Sequence, residues 1–88
     1  MTTSYNIEWR SSALREIKRF DKSTIKKIID AIELLSENPH PQGSKKLIGS
    51  EHSWRIRIGD YRVVYEIFNK TLIIEIVRIG HRKEIYKR

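Results

Sequence analysis

No cysteine occurs anywhere in the 88 residues. That removes disulfide staples, thiolate metal ligands and cysteine nucleophiles together. Proline and glycine are scarce, two and four respectively. Both prolines and two of the glycines, Gly43 and Gly49, fall between Asn38 and Ser53, so that segment reads as a loop. The chain has no internal repeat and no low-complexity tract. It also lacks an apolar run long enough to span a bilayer, and the polar start Met1-Thr2-Thr3-Ser4 does not read as a signal peptide. No membrane association is expected, and the expected location is the cytoplasm.

Acidic residues are the minority charge. Lys and Arg total 18 against 11 Asp and Glu, a formal net charge of +7. From His52 onward nine basic residues face four acidic ones, and most of the nine are arginines. A polyanionic partner is the natural inference, because arginine's planar fork suits phosphate better than it suits mere solubility. Hydrophobic residues make up 39% and recur with clear period from Tyr5 to Ile85. Disorder is therefore not expected, and the length suits one compact domain over residues 1–88.

Tyr5, Ile7 and Trp9 alternate with polar residues, the pattern of a half-buried strand. Ser11 is the expected cap of a helix with Leu14, Ile17 and Phe20 on one face. Asp21 is the next expected N-cap. After it Ile25, Ile28, Ile29, Ile32 and Leu35 recur at helical spacing, and Asn38-Pro39 ends that helix. Three strands follow the loop: Trp54–Ile58, Tyr61–Phe68 and Thr71–Ile79. Gly59-Asp60 is a two-residue, glycine-first hairpin turn. The order β-α-α-β-β-β predicts an α+β fold, a mostly antiparallel sheet with an N-terminal helical hairpin packed on one face.

A two-residue turn at Gly59-Asp60 sets Arg57 directly opposite Arg62, with Arg55 two residues along the same face. Opposed like charges are destabilising in isolation, and an anion held between them would supply the reason for the pair. Glu66 is the carboxylate placed to neutralise part of this face. A three-residue loop over Asn69-Lys70-Thr71 would bring Arg78 beside Arg62, whereas a two-residue turn would bring Val77 there. The ending Gly80-His81-Arg82-Lys83-Glu84-Ile85-Tyr86 crowds basic residues and a tyrosine into a short space. His81 is the side chain there whose ordinary pKa suits proton transfer near neutrality. Tyr86 either packs its ring on the domain edge or offers its hydroxyl to a phosphate or ribose. The carboxylates are scattered and no His/Glu pair has ligand spacing, so neither a metal site nor a cofactor is expected.

The stretch from Trp54 to Tyr65 and the ending from Gly80 to Tyr86 closely resemble RelE toxins. The likeness runs over nearly the whole chain, including the helical pair, the Asn-Pro helix end and Lys45-Lys46-Leu47. What the resemblance implies is a toxin of the RelE/ParE superfamily, on the RelE branch. That is a ribosome-dependent, metal-independent endoribonuclease that inhibits translation by cutting messenger RNA through 2′-hydroxyl attack on the scissile phosphate. Carried over by motif position, Arg57, Arg62, Arg82 and Tyr86 are the implied catalytic residues, with His81 beside them. Arg55, Lys45, Lys46, Arg78 and Lys83 are the implied RNA contacts. The implied partners are a cognate antitoxin, often acidic and partly disordered until bound, and messenger RNA on the ribosome. The chain departs from the best-known RelE enzymes in carrying arginine at both second-strand positions, 55 and 57, where those enzymes have lysine. Arginine does not readily give up a proton, so the base must lie elsewhere or the rate must rest on charge stabilisation and alignment. The fold also carries ParE toxins that inhibit DNA gyrase without cutting nucleic acid, and a basic RNA-binding module without catalysis is the third possibility.

Overall fold

The computed structural model describes residues 4–81. Its elements in chain order are β1 (Asn6–Trp9), α1 (Ser11–Ile17), α2 (Lys22–Leu35), β2 (Lys45–Lys46), β3 (Ser53–Ile58), β4 (Tyr61–Phe68) and β5 (Ile73–His81). The five strands form one sheet in the order β1-β5-β4-β3-β2. Only the β1–β5 pairing is parallel. The expected α+β architecture is the one observed, and β5 lies inside the sheet between β1 and β4, as its apolar sequence suggests, while β4 is the middle strand.

The helices cover one face of the sheet. Ala13 and Ile17 of α1 and Ile28, Ile32 and Leu35 of α2 are buried against Ile56, Val63, Tyr65, Ile67, Ile74, Ile76 and Ile79. Truncating one of these isoleucines to alanine would cost about 2–5 kcal/mol. Asp21 caps α2 as expected, its Oδ1 accepting from the Thr24 N–H at 3.0 Å. Hydrogen bonding from the Thr24 side chain, with that backbone bond second, holds the Asp21 carboxyl below its ordinary range.

Helix α1 departs from expectation in three ways. Arg10 occupies the N-cap position with no side-chain cap bond, and Ser11 is already helical. Leu14 is largely exposed, and Ala13 takes the core position instead. The helix also stops at Ile17, leaving Phe20 in the following turn, where its ring meets Tyr61 at 4.8 Å. The cause is tertiary. Strand β1 ends opposite Ile76, and α1 takes over the exposed edge of β5 beyond it. Arg10 N–H donates to Ile76 O, Ser12 Oγ to Val77 O, and Ile79 N–H to Glu16 Oε1 at 2.7 Å.

The segment between Asn38 and Ser53 holds one element the sequence pattern does not announce. Lys45 and Lys46 pair with Arg55 and Trp54 as a two-residue strand. No helix among the described residues is long and apolar enough to cross a membrane.

Candidate functional site

Gly59 has φ +59, the left-handed value that the first position of a glycine-first turn demands. Ile58 accordingly pairs with Tyr61 and Arg57 with Arg62. Arg55 and Lys45 are also opposite each other. Directly opposed residues share a sheet side, and residues two apart along a strand share it too. Lys45, Arg55, Arg57 and Arg62 therefore gather on the sheet side away from the helices. Lys46, opposite Trp54, belongs to the other side.

Arg62 is the centre of this group. It is 6% exposed. Its Nη1 donates to Tyr61 O at 3.2 Å and Gly59 O at 3.5 Å, so the hairpin turn itself holds the guanidinium. Its Nε is buried without a hydrogen-bond partner, and so is Nη1 of Arg55. Among the described residues no carboxylate lies within ion-pair distance of Arg55, Arg57 or Arg62. A buried cation ordinarily recovers its lost hydration from a carboxylate. Here neutral carbonyls stand in, and positive charge is left uncompensated on a preformed surface.

The carboxylates of the same sheet side lie further along it. Glu8 aligns with Glu75, Glu75 with Glu66 and Glu66 with Ser53. Arg10 bridges this row, its Nη2 lying 2.8 Å from Glu75 and 3.6 Å from Glu66. Hydrogen bonding to Glu75 leads the causes that raise the Arg10 pKa. Glu66 also accepts from Ser53 Oγ. It is engaged away from the arginines and does not neutralise them. The face is thus divided into an arginine end and a glutamate end.

Two expected placements need correction. Arg78 does not stand beside Arg62. Phe68 pairs with Ile73, so the β4–β5 loop spans four residues, and a bulge lets Val64 meet Arg78 while Tyr65 meets Ile76. Both proposed loop lengths are superseded, and Gly80 is the residue opposite Arg62. The Arg78 side chain instead binds Glu16, with Nε at 3.3 Å and Nη2 at 3.2 Å from Oε2. His81 pairs with Tyr61 and lies on that residue's side of the sheet, its ring 6.0 Å from the Tyr61 ring. The structure does not bring it to the arginine side. Arg82, Lys83 and Tyr86 lie outside the described residues. Glu16 itself was missed by sequence reasoning. It holds both the Ile79 backbone and the Arg78 guanidinium, and nothing local marks a helical glutamate as partner to a strand 62 residues away.

Three kinds of likeness accompany this geometry. The family described as the ParE toxin of the type II toxin–antitoxin system matches residues 7–86. A curated Methanocaldococcus jannaschii protein named toxin RelE1 is 36% identical over 86 residues, covering 94% of this chain and 96% of that protein. The Mycobacterium tuberculosis RelBE2 toxin–antitoxin complex contains a chain of the same fold, with TM-score 0.81 and 21% identity over 96% of this chain and 98% of that one. The RelB–RelE complex of Methanococcus jannaschii gives TM-score 0.74 and 26% identity over 91% and 95%.

Proposed function

Because this chain belongs to the ParE toxin family of the RelE/ParE superfamily and is a RelE-like toxin of a type II toxin–antitoxin system, we propose that its arginine face cleaves messenger RNA on the ribosome. The observation that carries this reading is the opposed pair Arg57 and Arg62, with Arg62 held by the hairpin and no carboxylate among the described residues within ion-pair distance of either.

In the proposed reaction the ribose 2′-hydroxyl loses its proton and its oxygen attacks the adjacent phosphorus. The bond from phosphorus to the 5′-oxygen breaks, and that oxygen takes up a proton. The products are a 2′,3′-cyclic phosphate and a 5′-hydroxyl. Negative charge builds on the phosphate oxygens along the way, and preorganised cations that need no rearrangement stabilise it most. Arg62 and Arg57 supply that charge in this account. Arg55 and Lys45 track the RNA backbone beside them, and Lys46 and Arg78 are assigned peripheral phosphate contacts, Arg78 through the guanidinium edge that Glu16 leaves open. Arg82, Lys83 and Tyr86 complete the assignment, with Arg82 as a further cation and Tyr86 as the proton-transferring group. His81 serves the same proton chemistry only if the strand end turns over when RNA binds. No metal or cofactor is invoked.

A single domain over residues 1–88, a cytoplasmic location and a cognate antitoxin belong to the same proposal. RelB accompanies RelE in the similar complexes, and the net charge of +7 suits an acidic neutralising partner.

A second reading has one specific observation behind it, since the matching family is described by ParE. In that reading the basic face binds DNA gyrase and nothing is cut. Mapping transcript 5′ ends after a brief pulse of expression separates the two. Cuts inside translated codons support the nuclease. Intact transcripts with DNA-damage signalling support gyrase inhibition.

A further inference from the structure

Glu16 and Arg78 border a cavity of about 210 Å³ at the outer edge of β5, which Arg19, Phe20, Ile79 and Gly80 also line. Gly80 is the residue opposite Arg62. Opposed Cα atoms stand about 5 Å apart, and a glycine puts no side chain between the arginine and the cavity. The cavity therefore lies one ladder position beyond Arg62.

Its walls carry both kinds of hydrogen-bonding group. Glu16 Oε1 accepts from Ile79 N–H, and Oε2 accepts from the Arg78 guanidinium. These bonds fix the carboxylate, and each oxygen keeps a lone pair for a further donor. Arg19 is exposed, and among the described residues its side chain has no ion pair. The end of α1 sets its place, Arg19 N–H donating to Glu16 O and Phe20 N–H to Ile17 O, both at 3.2 Å. The Phe20 ring, half-buried and braced against Tyr61, adds an aromatic wall.

We propose that this cavity holds the nucleobase next to the scissile phosphate, and that Glu16 and Arg19 read its identity. A phosphate is the wrong occupant, because the fixed carboxylate repels it. A base is neutral and planar, and it offers N–H donors beside ring-nitrogen and carbonyl acceptors. Its donors suit Glu16, its acceptors suit Arg19, and its face suits the Phe20 ring. Arg78 keeps one guanidinium edge for the RNA backbone and uses the other to fix the carboxylate. This role for the cavity rests on the nuclease function proposed above and adds to it a dependence on the base beside the cut.

The test uses ribosomes programmed with messages that carry each of the four bases on either side of the cut. The expected result is a spread of cutting rates of about tenfold or more across the bases on one side. Arg19→Ala and Glu16→Gln should flatten that spread, the glutamine keeping an acceptor for Ile79 N–H. Lys18→Ala, which removes an exposed cation outside the cavity, should keep the parent's ranking. The same messages with a 2′-O-methyl group on the attacking nucleotide cannot be cut, and their affinities should follow the same ranking. Cutting whose spread survives Arg19→Ala overturns the base subsite and leaves the nuclease standing. Base-dependent binding of the blocked messages without cutting of the open ones supports the subsite and removes the nuclease step. Flat rates and affinities in the parent overturn the subsite. A loss of antitoxin affinity in Arg19→Ala with the spread unchanged also overturns it, in favour of a protein occupant.

Discussion

Arg57 and Arg62 face each other across the β3–β4 ladder, and among the described residues neither has a carboxylate within ion-pair distance. Their opposition works against the folded state and is maintained by the Gly59-Asp60 turn, where the carbonyls of Gly59 and of Tyr61 just after it hold Arg62. Function and stability should therefore separate at position 62. Arg62→Met is expected to abolish growth arrest while melting at or above the parent temperature, because an apolar side chain of similar size removes a buried, incompletely satisfied cation. Expression-induced growth arrest and thermal denaturation measure the two halves. A clear fall in melting temperature would contradict the account of Arg62.

Glu16 should behave in the opposite way. Removing it leaves the partly buried Ile79 N–H without its acceptor and frees Arg78. Glu16→Ala is expected to lose about 1–3 kcal/mol in urea unfolding. Arg78→Ala, which keeps the bond to the Ile79 backbone, should lose less than half as much. Equal losses would show that the ion pair, and not the edge contact, is what stabilises β5.

Tyr65 gives a pH signature. Burial pushes its hydroxyl up to about 12, and that hydroxyl donates to Pro39 O at 2.7 Å. The unfolded chain releases this proton near the ordinary value of 10.0 and the folded chain does not. The contribution is therefore complete below pH 10 and is lost as pH rises toward 12. Tyr65→Phe should be less stable at neutral pH, and its stability should fall less steeply over the alkaline window. Parallel alkaline titrations of stability for the two proteins would rule this out.

Asp21 has the reverse sign. Its carboxyl titrates below the ordinary 3.8 because the Thr24 side chain, and then the Thr24 N–H it caps, hydrogen-bond to it. The contribution is present above 3.8 and disappears as pH falls through the lower folded value. The difference in melting temperature between the parent and Asp21→Ala should shrink on acidification, as circular dichroism melts at successive pH values would record.

The fold was legible wherever local chemistry decided it. Gly59-Asp60 specified a turn length, and that alone gave the Arg57–Arg62 register. Asp21 and the isoleucine stripe after it marked α2. The β4–β5 register was not legible, because the loop over residues 69–72 and the bulge beside Val77 carry no sequence signature. They arise from tertiary demand: the carbonyl of the bulged residue is taken by Ser12. The same demand explains α1, where Ser11 looks like a cap but Arg10 holds that position to join β5. Strand β2 escaped notice because two consecutive lysines show no alternation. At the site, opposed residues were predictable from turn length, whereas placing Arg78 and His81 required the bulge, which shifts the side-chain phase of everything after Ile76.

Cleavage on purified ribosomes tests the central claim most directly. Ribosomes carrying a defined message with a vacant decoding site, mixed with the purified toxin, should yield a single cut ending in a 2′,3′-cyclic phosphate. Arg62→Ala should slow that cut by about 100-fold or more. A message that stays intact with the parent protein, or a cut that Arg62→Ala makes at the parent rate, would contradict the account.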